Sequence, residues 1–142
     1  MGALRVVYDT NVLISGIGFG GKPWQCLVEV FVGDVELLTS EAAIAEFERV
    51  LGYDHLPFSP AEQERFPELL RNESTVTDPG VSVEAVDDDP DDDVFLECAV
   101  DGDADYVVSG DPHLIDLGSF EGIPILTPAA FVERLEEIYR DR

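Results

Sequence analysis

The chain has 142 residues, 45% of them apolar, which is enough for one continuous core, so residues 1–142 are expected to form a single domain. It contains no run of about 18 apolar residues, the length a membrane-spanning helix needs. Eight basic residues against 31 acidic ones leave a net charge of −23, which argues against an ordinary basic nucleic-acid binder working in dilute buffer.

The make-up of that charge is informative. Lys22 is the one lysine among the eight basic residues, and the rest are arginine. Acid excess with almost no lysine is the signature of a salt-accumulating cytoplasm. At molar salt the Debye length falls to about 3 Å, so the self-repulsion of such a surface is screened. Disorder driven by charge is excluded by the periodic apolar residues. Cys26 and Cys98 sit among apolar neighbours without CxxC spacing and are expected to be buried free thiols. The N-terminus leads directly into a strand pattern with no leader-like stretch, so the expected compartment is the cytoplasm.

In chain order, the first strand pattern is Leu4–Tyr8, which ends in Asp9. A glycine-rich stretch, Gly16 to Lys22, is expected as a flexible loop before a helix over Pro23–Val32. It is neither GxGxxG nor a P-loop, since no Lys-Ser/Thr pair follows. Two uses are open for Trp24: core packing, or a base contact beside a phosphate held by Lys22. The strand pattern Val35–Leu38 precedes Ser40, which can cap a helix stacking Ala43, Ile44, Phe47 and Leu51 on one face. Ser59-Pro60 opens a further helix over 61–70, with Glu62 able to close a capping box. Residues 72–90 are expected to be a polar loop region with a short strand at Val81–Val86. An acidic run, Asp87 to Asp93, leads into a helix over Val94–Val100. Tyr106–Val108 and Pro124–Leu126 read as strands, and Pro128–Arg140 as a helix with Phe131, Leu135, Ile138 and Tyr139 in a stripe. Short apolar strands alternating with helices predict a three-layer α/β/α domain around a parallel sheet of four to five strands.

In such a sheet the functional crevice lies beyond the carboxyl ends of the strands. Asp9 and Asp111 fall at or just past two such ends, and Glu46 lies in a helix that starts at a third. Each acid also has a plainer reading. Asp9 suits an Asx-turn, Glu46 a solvated helix face, the 87–93 run a hydrated loop, and Asp111 a helix cap. The acidic run is not an EF-hand loop, because Asp92 stands where glycine is needed and Cys98 where a bidentate glutamate is needed. Taken together, acids from four separate elements meeting in one cleft require a cation. All-oxygen donors suit Mg²⁺ or Mn²⁺ over zinc. His55 and His113 lie outside any ligand-spaced pair, and no GxSxG or Cys–His nucleophile pattern competes.

Asp-Thr-Asn-Val-Leu-Ile-Ser at 9–15, Glu-Phe-Glu-Arg-Val-Leu at 46–51, Asp-Pro-Asp-Asp-Asp-Val-Phe-Leu-Glu at 89–97 and Ala-Asp-Tyr-Val-Val-Ser-Gly-Asp at 104–111 resemble, in order, the four motifs of PIN domains. The branch they resemble is that of the toxins of prokaryotic toxin–antitoxin systems, and with the composition this implies a halophilic archaeon as source. The resemblance implies a PIN-like fold and a Mg²⁺- or Mn²⁺-dependent ribonuclease. It also implies a homodimer held inactive by a small antitoxin protein. By the same match, Asp9, Glu46 and Asp111 take the first, second and fourth acidic positions. The third is Asp92 or Asp93: register against this branch favours Asp92, and counting back from Ser109 favours Asp93. Direct metal contact is expected from Asp9, Asp92 and Asp111. Asn11, Ser15, Lys22, Arg49 and Ser109 are the candidates for orienting the acids or contacting RNA, and the basic residues are expected to gather around the cleft. Two other classes remain. An aspartate-based phosphatase is disfavoured because Asn11 stands where the second aspartate would be and Lys22 is the one lysine. A non-catalytic binding module is disfavoured because all four acidic motifs are retained.

Overall fold

The structure, a computed structural model, describes residues 3–77 and 90–139, the side chains of 90–93 excepted. The expected strand at Val81–Val86 and the acidic stretch 87–89 lie outside the described residues. Strands β1 (Leu4–Tyr8), β2 (Val35–Ser40), β3 (Thr75–Thr77), β4 (Tyr106–Val108), β5 (Ser119–Phe120) and β6 (Ile123–Leu126) form one sheet in the order β3-β2-β1-β4-β6-β5. All pairs are parallel except β5 with β6, which run antiparallel. The sheet therefore has six strands where four to five were expected. β3 and β5 are too short, and too polar at their flanks, to carry a strand signature.

The helices are α1 (Thr10–Phe19), α2 (Gly21–Phe31), α3 (Glu41–Leu51), α4 (Pro60–Glu73), α5 (Pro90–Asp101), α6 (Pro112–Leu117) and α7 (Pro128–Tyr139). Side chains alternate across a strand, so neighbours in β1 serve opposite layers. Val6 and Tyr8 join Leu13, Leu27, Phe47 and Phe131, while Val7 joins Phe95, Leu96, Val107 and Leu114. Two apolar clusters thus cover the two faces, which is the expected α/β/α arrangement. The predicted caps are present: Ser40 Oγ accepts from Ala43 N at 3.2 Å, and Ser59 and Glu62 exchange both bonds of a capping box. Cys26 and Cys98 are buried and free. Among the described residues no helix is long and apolar enough to cross a membrane.

The glycine-rich stretch is where the expectation fails. Residues 10–19 are helical, and Gly16 and Gly18 lie inside α1. Glycine is a poor helix former, so propensity alone reads this stretch as a loop. Packing overrides it: a Cβ on Gly16 would stand 2.6 Å from Leu27 Cδ1, and one on Gly18 2.9 Å from Phe58 Cζ. The glycines let α2 and Phe58 approach α1 closely. Only at Gly20, with φ 80°, does the chain turn into α2, and its N–H caps α1 at Ser15 O.

The chain leaves β1 toward β2 and β3, then returns to place β4 on the other side of β1. Between β1 and β4 the order reverses, and a crevice opens beyond their carboxyl ends. Both strands are followed immediately by an acid-bearing turn.

Candidate active site

Asp9 N donates to Val108 O at 3.1 Å, so the turn after β1 is tied to the last residue of β4. The Asp9 carboxylate caps α1, accepting from Val12 N at 2.9 Å, and its other oxygen accepts from the Ser109 hydroxyl. Ser109 Oγ in turn accepts from Asp111 N at 2.9 Å, which links the two strand ends through one side chain. Asp111 caps α6 by accepting from His113 N at 2.8 Å. The plain readings of Asp9 and Asp111 as turn and cap residues are therefore correct, and they coexist with the cluster. The cap is what aims each carboxylate at the crevice.

Glu46 reaches the same place from α3. Its Oε2 accepts from Thr10 Oγ1 at 2.9 Å, and Oε1 lies 3.6 Å from Arg49 Nη2. The Glu46 side chain is only 16% exposed and that of Asp111 only 15%, while Asp9 as a residue is 2% exposed. Burial pushes the Asp9 carboxyl up to about 6. The Ser109 and Val12 hydrogen bonds oppose that rise, and the nearby charges of Asp111 and Glu46 add to it. Like charges are thus concentrated around a desolvated carboxylate, an arrangement that costs stability unless something positive is bound.

The sequence candidates separate clearly. Asp9, Glu46, Ser109 and Asp111 come together, with Arg49 alongside. Asn11 is exposed, and the bonds that hold Asp9 come from Ser109 and Val12. Ser15 lies further along α1, where its carbonyl accepts from Gly20 N. Lys22 is not at a rim loop. It lies in the first turn of α2, next to Pro23, whose carbonyl stands beside Gly16 of α1. Trp24, 46% exposed, is not in the core; it lines an apolar cleft instead. Of the other basic residues described, Arg5 pairs with Glu36, Arg71 with Glu41 and Arg134 with Glu137. Asp92 and Asp93 both belong to the first turn of α5, but their side chains lie outside the described residues. Just beyond the end of α5, Asp105 N donates to Arg5 O at the start of β1. The helix spans about 18 Å and β1 about 16 Å, so the first turn of α5 points toward the crevice edge of the sheet.

One residue was missed in the sequence, and another was set aside there. Thr10 is buried and bonds Glu46; the available signal was a hydroxyl directly after the first acid, at the head of an apolar helix. His113 Nδ1 stands 3.7 Å from Asp111 Oδ1, a closeness that sequence spacing to other histidines does not reveal.

Among the described residues, no three acidic, histidine or cysteine side chains stand close enough together to hold an ion unaided. The donor chemistry nevertheless fits a hard divalent cation, since Asp9, Glu46 and Asp111 offer carboxylate oxygens and the charges of Asp111 and Glu46 reach Asp9. Among the described residues, zinc, with its preference for His and Cys, has no comparable set.

The family model of the PIN domain matches residues 5–113, from β1 to the start of α6. The chain belongs to the PIN domain family. No curated protein sequence matches it. Among solved structures, a chain of VapBC2 from Rickettsia felis, bound to a DNA fragment from their promoter, matches with a TM-score of 0.60 at 9% identity. That match covers 87% of this chain and 98% of the other. FitAcB from Neisseria gonorrhoeae matches with a TM-score of 0.52 at 14% identity, over 87% of this chain and 98% of that one. FitAB bound to an IR36 DNA fragment gives 0.52 at 16%, over 87% and 94%. At these identities the likeness is one of fold, and it agrees with the α/β architecture described above.

Proposed function

We propose that this PIN domain, residues 1–142 acting as one unit, is a Mg²⁺- or Mn²⁺-dependent endoribonuclease that hydrolyses single-stranded RNA. It is the toxin of a toxin–antitoxin pair, a homodimer restrained by a small antitoxin protein in the cytoplasm of a halophilic archaeon. Asp9, Glu46, Asp111 and either Asp92 or Asp93 are its catalytic acids. The observation that carries the nuclease reading is the buried Asp9 carboxylate, joined through Ser109 to the Asp111 turn and flanked by Thr10, which bonds the largely buried Glu46. Selection for stability alone would not maintain such a cluster. The family membership and the fold shared with chains of the VapBC2 and FitAB structures support the toxin part.

In this reading Asp9 and Asp111, with Asp92 or Asp93, hold the ion directly, and Glu46 does so directly or through a water. A bound Mg²⁺ or Mn²⁺ supplies positive charge against the scissile phosphate and lowers the pKa of a water. The chain's own groups set the geometry. Ser109 fixes one Asp9 oxygen while joining the ends of β1 and β4. Burial lets Asp9 keep its proton up to about pH 6, so its carboxylate becomes available to a cation as pH rises above that. Arg49, beside Glu46, is the cation placed to meet a backbone phosphate. Hydrolysis adds a water oxygen to phosphorus, breaks one P–O bond and leaves a proton on the departing oxygen.

Calorimetric titration with Mn²⁺ at molar KCl tests the site. The parent should bind, Asp9→Asn should bind at least about tenfold more weakly, and Glu133→Gln, an exposed acid on α7, should match the parent. Equal losses from both variants would mean diffuse surface charge and no site.

A further inference from the structure

We infer that Thr10 is a positioning residue that holds Glu46 in place, so that the dipeptide Asp9-Thr10 fixes the first and second acids of the cluster together. The inference rests on the nuclease reading above and goes beyond it by assigning a role to a residue outside the acidic set. Thr10 is buried, and a buried hydroxyl requires a partner. That partner lies 36 residues away in sequence: Thr10 Oγ1 donates to Glu46 Oε2 at 2.9 Å. Thr10 is the first residue of α1, directly after the cap, so the hydroxyl moves as one piece with Asp9.

Glu46 has reason to need holding. A glutamate side chain loses rotamer entropy when it is fixed. Here it also stands among like charges, and Arg49 lies 3.6 Å from its other oxygen. The Thr10 bond ties one carboxylate oxygen to the head of α1, beside Asp9. Threonine suits this use because its hydroxyl sits on a short side chain with few χ1 choices in a helix. Ser109 does the same for Asp9 from β4. Two hydroxyls, one on each strand end, thus orient two acids.

The test is a cycle of Mn²⁺ titrations at molar KCl on the parent, Thr10→Val, Glu46→Gln and the double variant, each checked by thermal melting. Loss of an outer-shell partner commonly weakens metal binding about tenfold or more, and that loss is expected for Thr10→Val. Thr10→Ser, which keeps the hydroxyl, should bind close to the parent. In the Glu46→Gln background the Thr10→Val change should matter less than about twofold, because the carboxylate it positions is gone. With RNA, Thr10→Val should lower kcat and leave KM near the parent value. If Thr10→Val does not fold, Thr10→Ala takes its place in the cycle. Equal losses in both backgrounds, or no loss in either, would overturn the positioning role. A folded parent that binds no Mn²⁺ would overturn the reading of the site itself, and this inference with it.

Discussion

Helix α1 serves two regions of opposite character. At its first turn, Asp9 and Thr10 belong to a cluster of carboxylates. Further along, Leu13 and Ile17 line an apolar cleft of about 280 Å³ with Trp24, Leu27, Phe47 and Phe66. The cleft follows the rules of stability, with apolar surface facing apolar surface and close approach bought by Gly16 at Leu27. The cluster breaks those rules by burying like charges around a single carboxyl. Residues of the first kind should therefore move stability and leave chemistry alone, and residues of the second kind should do the reverse.

The largest expected effect falls within the cluster. Asp92→Asn and Asp93→Asn should differ: the variant that removes the third acid should lose RNA turnover by about two to three orders of magnitude, and its neighbour should lose far less. Single-turnover cleavage assays with Mn²⁺ at molar KCl decide which is which. If both match the parent, neither residue belongs to the site.

Next comes the cleft. Leu27→Ala removes a buried side chain packed against Gly16 and should cost about 2–5 kcal/mol in denaturant unfolding, with Mn²⁺ affinity unchanged. A comparable loss of metal affinity would mean that the two regions are coupled and the contrast is false.

Asp9→Asn should show the opposite sign. The folded-state value of about 6 lies above the ordinary 3.8, so the folded protein holds that proton more tightly than the unfolded chain. The associated stability is present below about pH 4 and is lost as pH rises through 6. At pH 7–8 without metal, ionised Asp9 thus costs about 3 kcal/mol, and Asp9→Asn should unfold at higher denaturant than the parent, with the advantage vanishing near pH 4. A variant less stable than the parent at pH 8 would refute the strained-cluster account.

The smallest effect is at the periphery. Lys22 belongs to α2, which carries none of the four acids, so Lys22→Glu should change RNA cleavage by less than about threefold at molar KCl, where charges are screened within about 3 Å. On the halophilic reading, parent stability and cleavage should both rise from about 0.1 M to molar KCl. An enzyme that folds and cleaves best in dilute buffer would overturn that reading.

Much of the site was legible because its residues sit at element boundaries, which sequence marks well. Asp9 and Asp111 follow apolar strands, and Ser40 fixes where α3 begins and hence where Glu46 lies. What escaped notice depends on contacts between distant segments. The helical state of Gly16 and Gly18 is decided by Leu27 and Phe58, and Trp24 by the cleft it lines. The Thr10–Glu46 bond crosses 36 residues. β5 pairs with β6 through a tight turn at Glu121 and Gly122, both at positive φ, and glutamate gives no hint of that conformation. β3, three residues long, is a strand only because β2 is beside it.

The central claim is that the buried acids at the ends of β1 and β4, with Glu46, form a metal-dependent ribonuclease site. Its most direct test is cleavage of a single-stranded RNA by purified parent and Asp9→Asn at molar KCl, pH 8, with Mn²⁺ and with chelator. Parent cleavage that requires Mn²⁺, and its loss in a variant that melts at or above the parent temperature in chelator, is the predicted result. Cleavage by a folded Asp9→Asn at the parent rate, or by the parent in chelator, would contradict the account.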